Sequence, residues 1–400
     1  MSGVGDLHDG FKEVFSYEEH KGQICNFVPI EVLEENMYIR DRKDVYLSLD
    51  SAGVYLWARE HQYPDQAPHI QHLVKFPKST PGFITSIVYI PKLKVYVGAA
   101  LDMSFKVYNK SLQLIESITH EERAVLSMIY DASKELIVMA GANGVSVWRI
   151  FRTTGIGMEN IMERMYVFDE LKGMWISQMY DEPKQDLIYA LVDNSVYILS
   201  LYKRKCVQKM LHIHEGSVSA ICWYPRSQFY LTGCVDGHIK CWTYLGSSEK
   251  GSGGAEKRQS EQESSGSGHD QTLLHTFSIH TAPVTGIVLH PTSGMAISTG
   301  LDGFIRILNL EMFTEIYCIN LHGMGVARMI DVDLPPAPLA EGEPVVKDRP
   351  RTLGILFSSA KDNSIKLWRI TSICFCWWTN LWTVALFWKK IQEHCAAACS

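Results

Sequence analysis

His214-Glu215-Gly216-Ser217-Val218-Ser219-Ala220-Ile221-Cys222-Trp223-Tyr224-Pro225, followed after a short turn by Phe229-Tyr230-Leu231-Thr232-Gly233-Cys234-Val235-Asp236-Gly237-His238-Ile239-Lys240-Cys241-Trp242, is the stretch that decides the fold. Val218, Ala220 and Cys222 alternate with more polar neighbours, the period of a strand with one face buried. Pro225 marks a turn. A second apolar run leads to Asp236-Gly237, a strong hairpin signal. A third run ends at Trp242. The unit is therefore three antiparallel strands introduced by a histidine-bearing loop.

The unit recurs along the chain through its Asp or Asn hairpin and its closing residue. The pairs are Asp50 and Trp57, Asp102 and Tyr108, Asn143 and Trp148, Asp193 and Leu199, Asp236 and Trp242, Asp302 and Leu308, and Asp362 and Trp368. Repeats of roughly 40–45 residues in one chain mean a solenoid, array or propeller, because one unit cannot bury its apolar faces alone. On these residues the chain resembles the WD40-repeat proteins, with a His, a Ser or Thr, an Asp and a closing Trp in each repeat. It departs from them in one respect. No closing Trp is followed by Asp, and three repeats close on Tyr108, Leu199 and Leu308.

The resemblance implies an all-β fold: a single seven-bladed WD40-like β-propeller spanning 11–369. In such a ring each repeat gives an outer strand to one blade and three inner strands to the next. The last blade then needs a strand from the N-terminus. Phe11-Lys12-Glu13-Val14-Phe15-Ser16-Tyr17 has suitable alternation and precedes a candidate histidine turn at His20-Lys21-Gly22. Closure of this kind removes the unpaired edges that template aggregation.

His214, Thr232, Asp236 and Trp242 include the residue types of a Ser/Thr-His-Asp catalytic set. The same positions return as His280, Ser298 and Asp302, and as His322, Ser358, Asp362 and Trp368. Active sites do not normally repeat blade after blade. The resemblance implies instead a structural network running from hairpin Asp to loop His to strand Ser/Thr to indole N–H. No catalytic, cofactor-binding or metal-binding residue is assigned. The chain has no phosphate-binding Gly-Lys loop, Gly-x-Ser-x-Gly elbow, His-Glu-x-x-His or EF-hand loop, and Gly323-Met324-Gly325 lacks the third glycine of a dinucleotide fingerprint. His394, Cys395 and Cys399 are too sparse for a metal site. Ten cysteines occur without Cys-x-x-Cys pairs. Cys222, Cys234 and Cys241, lying in strands, read as buried reduced thiols.

The remaining segments read as additions to the ring. Residues 1–10 are expected to be disordered, and no secretory signal opens the chain. Residues 246–270 contain 13 Gly or Ser in 25 positions and read as a flexible insert after the third strand of blade five, before an outer strand at 272–277. Ser247, Ser260, Ser264 and Ser265 would be open there to modification. Residues 331–351 carry Pro335, Pro336, Pro338, Pro344 and Pro350 and read as a second long loop, inside blade seven. Residues 153–168 fit a long outer strand or a helical excursion. The segment 370–400 is expected to be an atypical hydrophobic, Cys-containing tail. Its first 19 residues, 370–388, lack charge and only just reach the length of a membrane span.

A net charge of −6 without a basic cluster argues against nucleic acid as a partner. The expected function is a non-enzymatic scaffold that binds other proteins, with no cofactor, in the cytoplasm. The degenerate repeats resemble those of ciliary and flagellar WD-repeat proteins, which implies a cilium or axoneme setting. The alternatives are a substrate receptor for a ubiquitin ligase, although Trp57-Ala58-Arg59 lacks the Asp of the receptor motif, and a scaffold tethered to a membrane through 370–388.

Overall fold

The computed structural model describes residues 11–370 apart from 19, 23, 31–43, 51–52, 60–69, 76–83, 110–111, 121–123, 154–158, 183–184, 245–270, 291–293, 321–324, 335–351 and 360–362. Residues 1–10, the insert expected at 246–270 and the tail from 371 lie outside the described residues, as does most of the expected Pro-rich loop.

Among the described residues, twenty-eight strands form seven four-stranded antiparallel sheets. Blade one contains β2 (Ile24–Ile30), β3 (Asp44–Asp50), β4 (Gly53–Arg59) and β5 (Ile70–Lys75). Blade two contains β6 (Ile84–Ile90), β7 (Val95–Ala100), β8 (Ser104–Tyr108) and β9 (Leu114–Thr119). Blade three contains β10 (Val125–Asp131), β11 (Leu136–Gly141), β12 (Gly144–Arg152) and β13 (Asn160–Val167). Blade four contains β14 (Gln178–Glu182), β15 (Leu187–Val192), β16 (Ser195–Ser200) and β17 (Lys205–Met210). Blade five contains β18 (Val218–Tyr224), β19 (Phe229–Cys234), β20 (His238–Tyr244) and β21 (Gln271–Ser278). Blade six contains β22 (Val284–Leu289), β23 (Met295–Gly300), β24 (Phe304–Asn309) and β25 (Thr314–Asn320). Blade seven contains β26 (Val326–Leu334), β27 (Thr352–Ser359), β28 (Ile365–Ile370) and, from the other end of the chain, β1 (Phe11–Tyr17).

The first strands of successive blades touch in an unbroken cycle, β2 to β6, β10, β14, β18, β22, β26 and back to β2. The sheets therefore form one ring. Side-chain hydroxyls help to join these inner strands: Ser86 Oγ accepts the Met128 N–H at 3.1 Å and Ser127 Oγ accepts the Met179 N–H at 3.3 Å. Between blades the sheet faces interlock. Leu231, Ile239 and Phe277 of blade five pack with Val284, Ile287 and Leu308 of blade six. Each such side chain contributes roughly 1.5–3 kcal/mol by leaving water.

The clasp forms as the N-terminal alternation predicts. β1 pairs antiparallel with β28 from Phe11 opposite Ile370 to Tyr17 opposite Ile365, with a bulge between Glu13 and Phe15. Bulges also give the closing positions a structural meaning. The register of the third strand against the outer strand shifts at Trp57, Tyr108, Trp148, Leu199, Trp242 and Leu308, and in blade seven the bulge in β1 lies opposite Trp368. A bulge adds twist and bends the strand, and the residue type at that position varies while the bend is kept.

Several boundaries differ from the sequence reading. β26 runs to Leu334, paired with Thr352, so 331–334 is strand. The next residue in the sequence, Pro335, has no backbone N–H to give a ladder. Ile370 is the last residue of β28, not the first of the tail. The 153–168 stretch contains a long outer strand, β13, followed by one 3-10 turn at Asp169–Leu171. In β18 the expected alternation is broken by a bulge after Val218, which turns Ile221 inward and leaves Cys222 half-buried.

Candidate functional site

In an antiparallel blade the loop between the second and third strands and the loop leaving the fourth strand emerge at one end. Backbone bonds knit these two loop sets together. The His120 N–H donates to Met103 O, Gly144 to Met174 O, Ile213 to Asn194 O, His280 to Gly237 O and Leu301 to Pro283 O. One face of the ring, here the hairpin face, therefore carries both the hairpin acids and the histidine loops.

Blade six shows the whole acid–histidine–hydroxyl network. His280 Nδ1 lies 3.0 Å from Asp302 Oδ2 and Nε2 lies 3.0 Å from Ser298 Oγ. The same carboxylate accepts the N–H groups of Thr281 at 3.1 Å and Phe304 at 3.2 Å. Burial pulls the His280 pKa down, although Asp302 pulls the other way. Leu308 closes this blade, so the chain of bonds ends at Ser298.

Blade one has an equivalent network that the sequence reading did not assemble. His20 Nδ1 lies 3.0 Å from Asp50 Oδ2 and Nε2 lies 2.8 Å from Ser48 Oγ, with all three residues buried. The N–H groups of Lys21 and Gly22 also donate to Asp50. The histidine turn and the hairpin acid were each visible in the sequence. However, Ser48 precedes its acid by two residues, whereas Thr232 and Ser298 precede theirs by four, which hid the match.

Blade five is incomplete. His214 Nε2 lies 2.8 Å from Thr232 Oγ1, and the Trp242 indole N–H donates to the same oxygen at 3.0 Å. The expected link from Asp236 to His214 is absent. Asp236 turns to its own hairpin, accepting the His238 N–H at 2.9 Å and lying 3.1 Å from His238 Nδ1. Burial, with Lys240 next, lowers the His214 pKa to about 4. Burial alone would raise Asp236, but the bonds from His238 and from the Cys234 thiol hold it below the usual carboxylate range. In blade seven, His322 and Asp362 lie outside the described residues, as does the side chain of Ser358. Trp368 packs half-buried against the apolar cluster of blades six and seven.

The hydroxyls of Ser48, Thr232 and Ser298 are all in residues with 0% exposure. A nucleophile sealed this way meets no substrate. The described thiols are free; Cys234 is pushed up in pKa by burial and Cys241 up to about 12 by the same cause. Neither is poised as a thiolate.

What the hairpin face does present is apolar. Leu101 and Met103 flank the hairpin acid of blade two, and Val235 and Leu301 precede those of blades five and six. Trp175 and Leu211 lie in the loops leaving blades three and four. All six are exposed, Trp175 at 58%. The opposite face has a shallow cleft of about 600 Å³ between blades three and four, lined by Lys134, Gln185, Asp186, Tyr202 and Lys203. There Lys134 bridges Asp131, at 2.6 Å, and Asp186.

Seven four-stranded blades, a terminal clasp and recurring acid–histidine–hydroxyl networks define a β-propeller of the WD40 type. Residues 204–243 and 271–309 match the family model of the WD domain, G-beta repeat. Each stretch takes in an outer strand and runs into the third strand of the next blade, so these two stretches match the WD40 repeat in the offset phase that clasps the ring. The solved WD40 β-propeller domain of Doa1 superimposes with a TM-score of 0.54 over 90% of this chain and 97% of that one, at 13% identity. That likeness is one of fold.

Proposed function

We propose that this propeller is a non-enzymatic platform for protein partners and that the hairpin face is its recognition surface. The exposed apolar set of Leu101, Met103, Trp175, Leu211, Val235 and Leu301 on that one face carries the reading. On loops held by a rigid scaffold, a water-exposed Trp is a side chain enriched in binding hot spots, and Met is enriched in interfaces. The rim between them is mostly polar, with Asp102, Asp169, Glu170 and Lys172, as in protein interfaces. The sealed hydroxyls and raised thiols argue against catalysis at the networks.

The finer assignment is a cytoplasmic platform in a ciliary or flagellar complex. It is supported by the resemblance of the degenerate repeats to ciliary WD-repeat proteins. A ubiquitin-ligase substrate receptor and a membrane-tethered scaffold are the alternatives. Proximity labelling with the full chain in ciliated and in dividing cells tests both levels. Axonemal or transport proteins support the ciliary setting, while ligase adaptors or membrane proteins move it to an alternative. Trp175→Asp with Met103→Asp should remove the enriched partners. The same substitution at Tyr202 on the opposite face should not. Equal loss from both faces, or no loss from either, contradicts the assignment of the face.

A further inference from the structure

In blades one and six the histidine Nδ1 is matched by a carboxylate oxygen at 3.0 Å. In blade five the corresponding atom, His214 Nδ1, has no hydrogen-bond partner among the described residues, although His214 is only 3% exposed. A buried polar atom left unmatched costs about 1–3 kcal/mol. The space beside it holds the Sγ of Cys234, a residue with 0% exposure. The corresponding strand position is Gly300 in blade six and Asp50 in blade one. The donor atoms of His214, Cys234 and Asp236 all lie within 4.8 Å of one another.

We propose that His214, Cys234 and Asp236 form a binding site for one borderline-soft divalent cation of the Zn²⁺ class. Nitrogen, sulfur and carboxylate oxygen are the donors zinc takes, at about 2.0–2.3 Å. Tetrahedral ligands at those lengths stand roughly 3.5 Å apart, so the three groups close inward modestly on binding. Cys234 gives up its S–H proton to solvent, and the thiolate electron pair goes to the metal. His214 contributes the Nδ1 lone pair. Its Nε2–H then donates to Thr232 Oγ1, which fixes the ring as an outer-shell partner does. The Thr232 hydroxyl hydrogen is directed to Lys240 O, 3.5 Å away, and the Trp242 indole fills the other lone pair. Asp236 swings from His238 to the metal. One thiolate and one carboxylate neutralise the cation, which suits a site at the edge of a buried network. The fourth position faces the hairpin, where water or His238 completes the shell. Blades one and six lack the thiol at that position and already match their histidines, so among the described residues the site is particular to blade five.

The test uses the full chain, stripped with chelator and titrated with Co²⁺ while near-ultraviolet thiolate-to-cobalt absorption is followed. Because the chain has ten cysteines, the wild-type spectrum is compared with that of Cys234→Ser. A band that saturates at one equivalent in the wild type and is lost in Cys234→Ser is expected. Asp236→Asn alters a solvent-exposed residue and should weaken Co²⁺ binding at least tenfold without preventing folding. Zn²⁺ should displace Co²⁺ and raise the melting temperature of the wild type alone. No saturating band, the same band in Cys234→Ser, or unchanged affinity in Asp236→Asn would each overturn the proposal.

Discussion

His280 Nδ1 lies 3.0 Å from the Asp302 carboxylate, while Asp236, the acid at the equivalent hairpin position of blade five, makes no bond to His214. Two repeats similar in sequence thus hold their acids differently. Asp302→Ala removes the partner of a buried histidine and two backbone acceptor bonds, and should cost about 1–3 kcal/mol. Asp236→Ala loses contacts within an exposed hairpin and should cost clearly less. Urea melts of the two variants check the order, and equal losses would mean that Asp236 bonds His214 in solution.

The pH dependence follows from shifts of opposite sign. His214, at about 4 in the folded chain, and His280 and His290, lowered by burial, bind protons more readily when unfolded. A His ordinarily titrates near 6.5. Between pH 6.5 and 4 the unfolded state takes up more protons at these groups, so their contribution to stability falls as the pH falls. Asp181 behaves oppositely. It is exposed on its strand, yet desolvation by crowding protein groups, then Asp131 and Glu182, raise it to about 6. Its ionisation therefore destabilises the fold as the pH rises through that value, by an amount that solvent screening keeps small. Asp181→Asn should raise the melting temperature at pH 7.5 and have little effect at pH 4.5. Thermal melts across that range should show the wild type losing stability on acidification, and the variant losing more.

Gly237 and Gly173 separate two costs. Both have positive φ, +88° and +76°. A Cβ on Gly237 would lie 2.2 Å from the His280 carbonyl oxygen, whereas one on Gly173 would meet nothing within 4 Å. Gly173→Ala should cost only the left-handed backbone penalty, about 1–2 kcal/mol. Gly237→Ala must also part the hairpin of blade five from the loop entering blade six, and should cost more. Chemical denaturation of both variants measures the difference.

The ring, the hairpins and the clasp were legible because each is set by local chemistry: Asp-Gly turns, period-two runs and an unpaired N-terminal strand. What escaped depended on register. Ser48 sits at the same strand position as Thr232 and Ser298, but its hairpin acid comes two residues later instead of four, so spacing hid the network of blade one. Both hairpin acids, Asp236 and Asp302, accept the N–H two residues on. However, Cys234 stands where blade six has Gly300, and a Cβ there would meet His280 Nδ1 at 2.7 Å and Asp302 Oδ1 at 2.8 Å. No hairpin spacing encodes that crowding of the acid–histidine contact. Ile370 looked like the start of the apolar tail because a strand residue paired at a clasp is as apolar as a tail residue. The exposed face did leave a signal. Leu101, Val235 and Leu301 each stand immediately before a hairpin acid, where an apolar side chain has no core to enter.

The ring depends on a strand from the start of the chain closing against its last described strand. Without Phe11–Tyr17, β28 presents an open row of N–H and C=O groups, and such an edge pairs with other chains. A chain lacking residues 1–17 should unfold at lower temperature and form oligomers, read by light scattering during the melt.

Amide hydrogen exchange on the full chain tests the closed platform most directly. The account predicts that the ladder amides of Phe11–Tyr17 are protected together with those of Ile365–Ile370, and exchange with the cooperative opening of the ring. Free-peptide exchange rates across Phe11–Tyr17, while β27 and β28 remain protected, would contradict it and leave the ring unclasped.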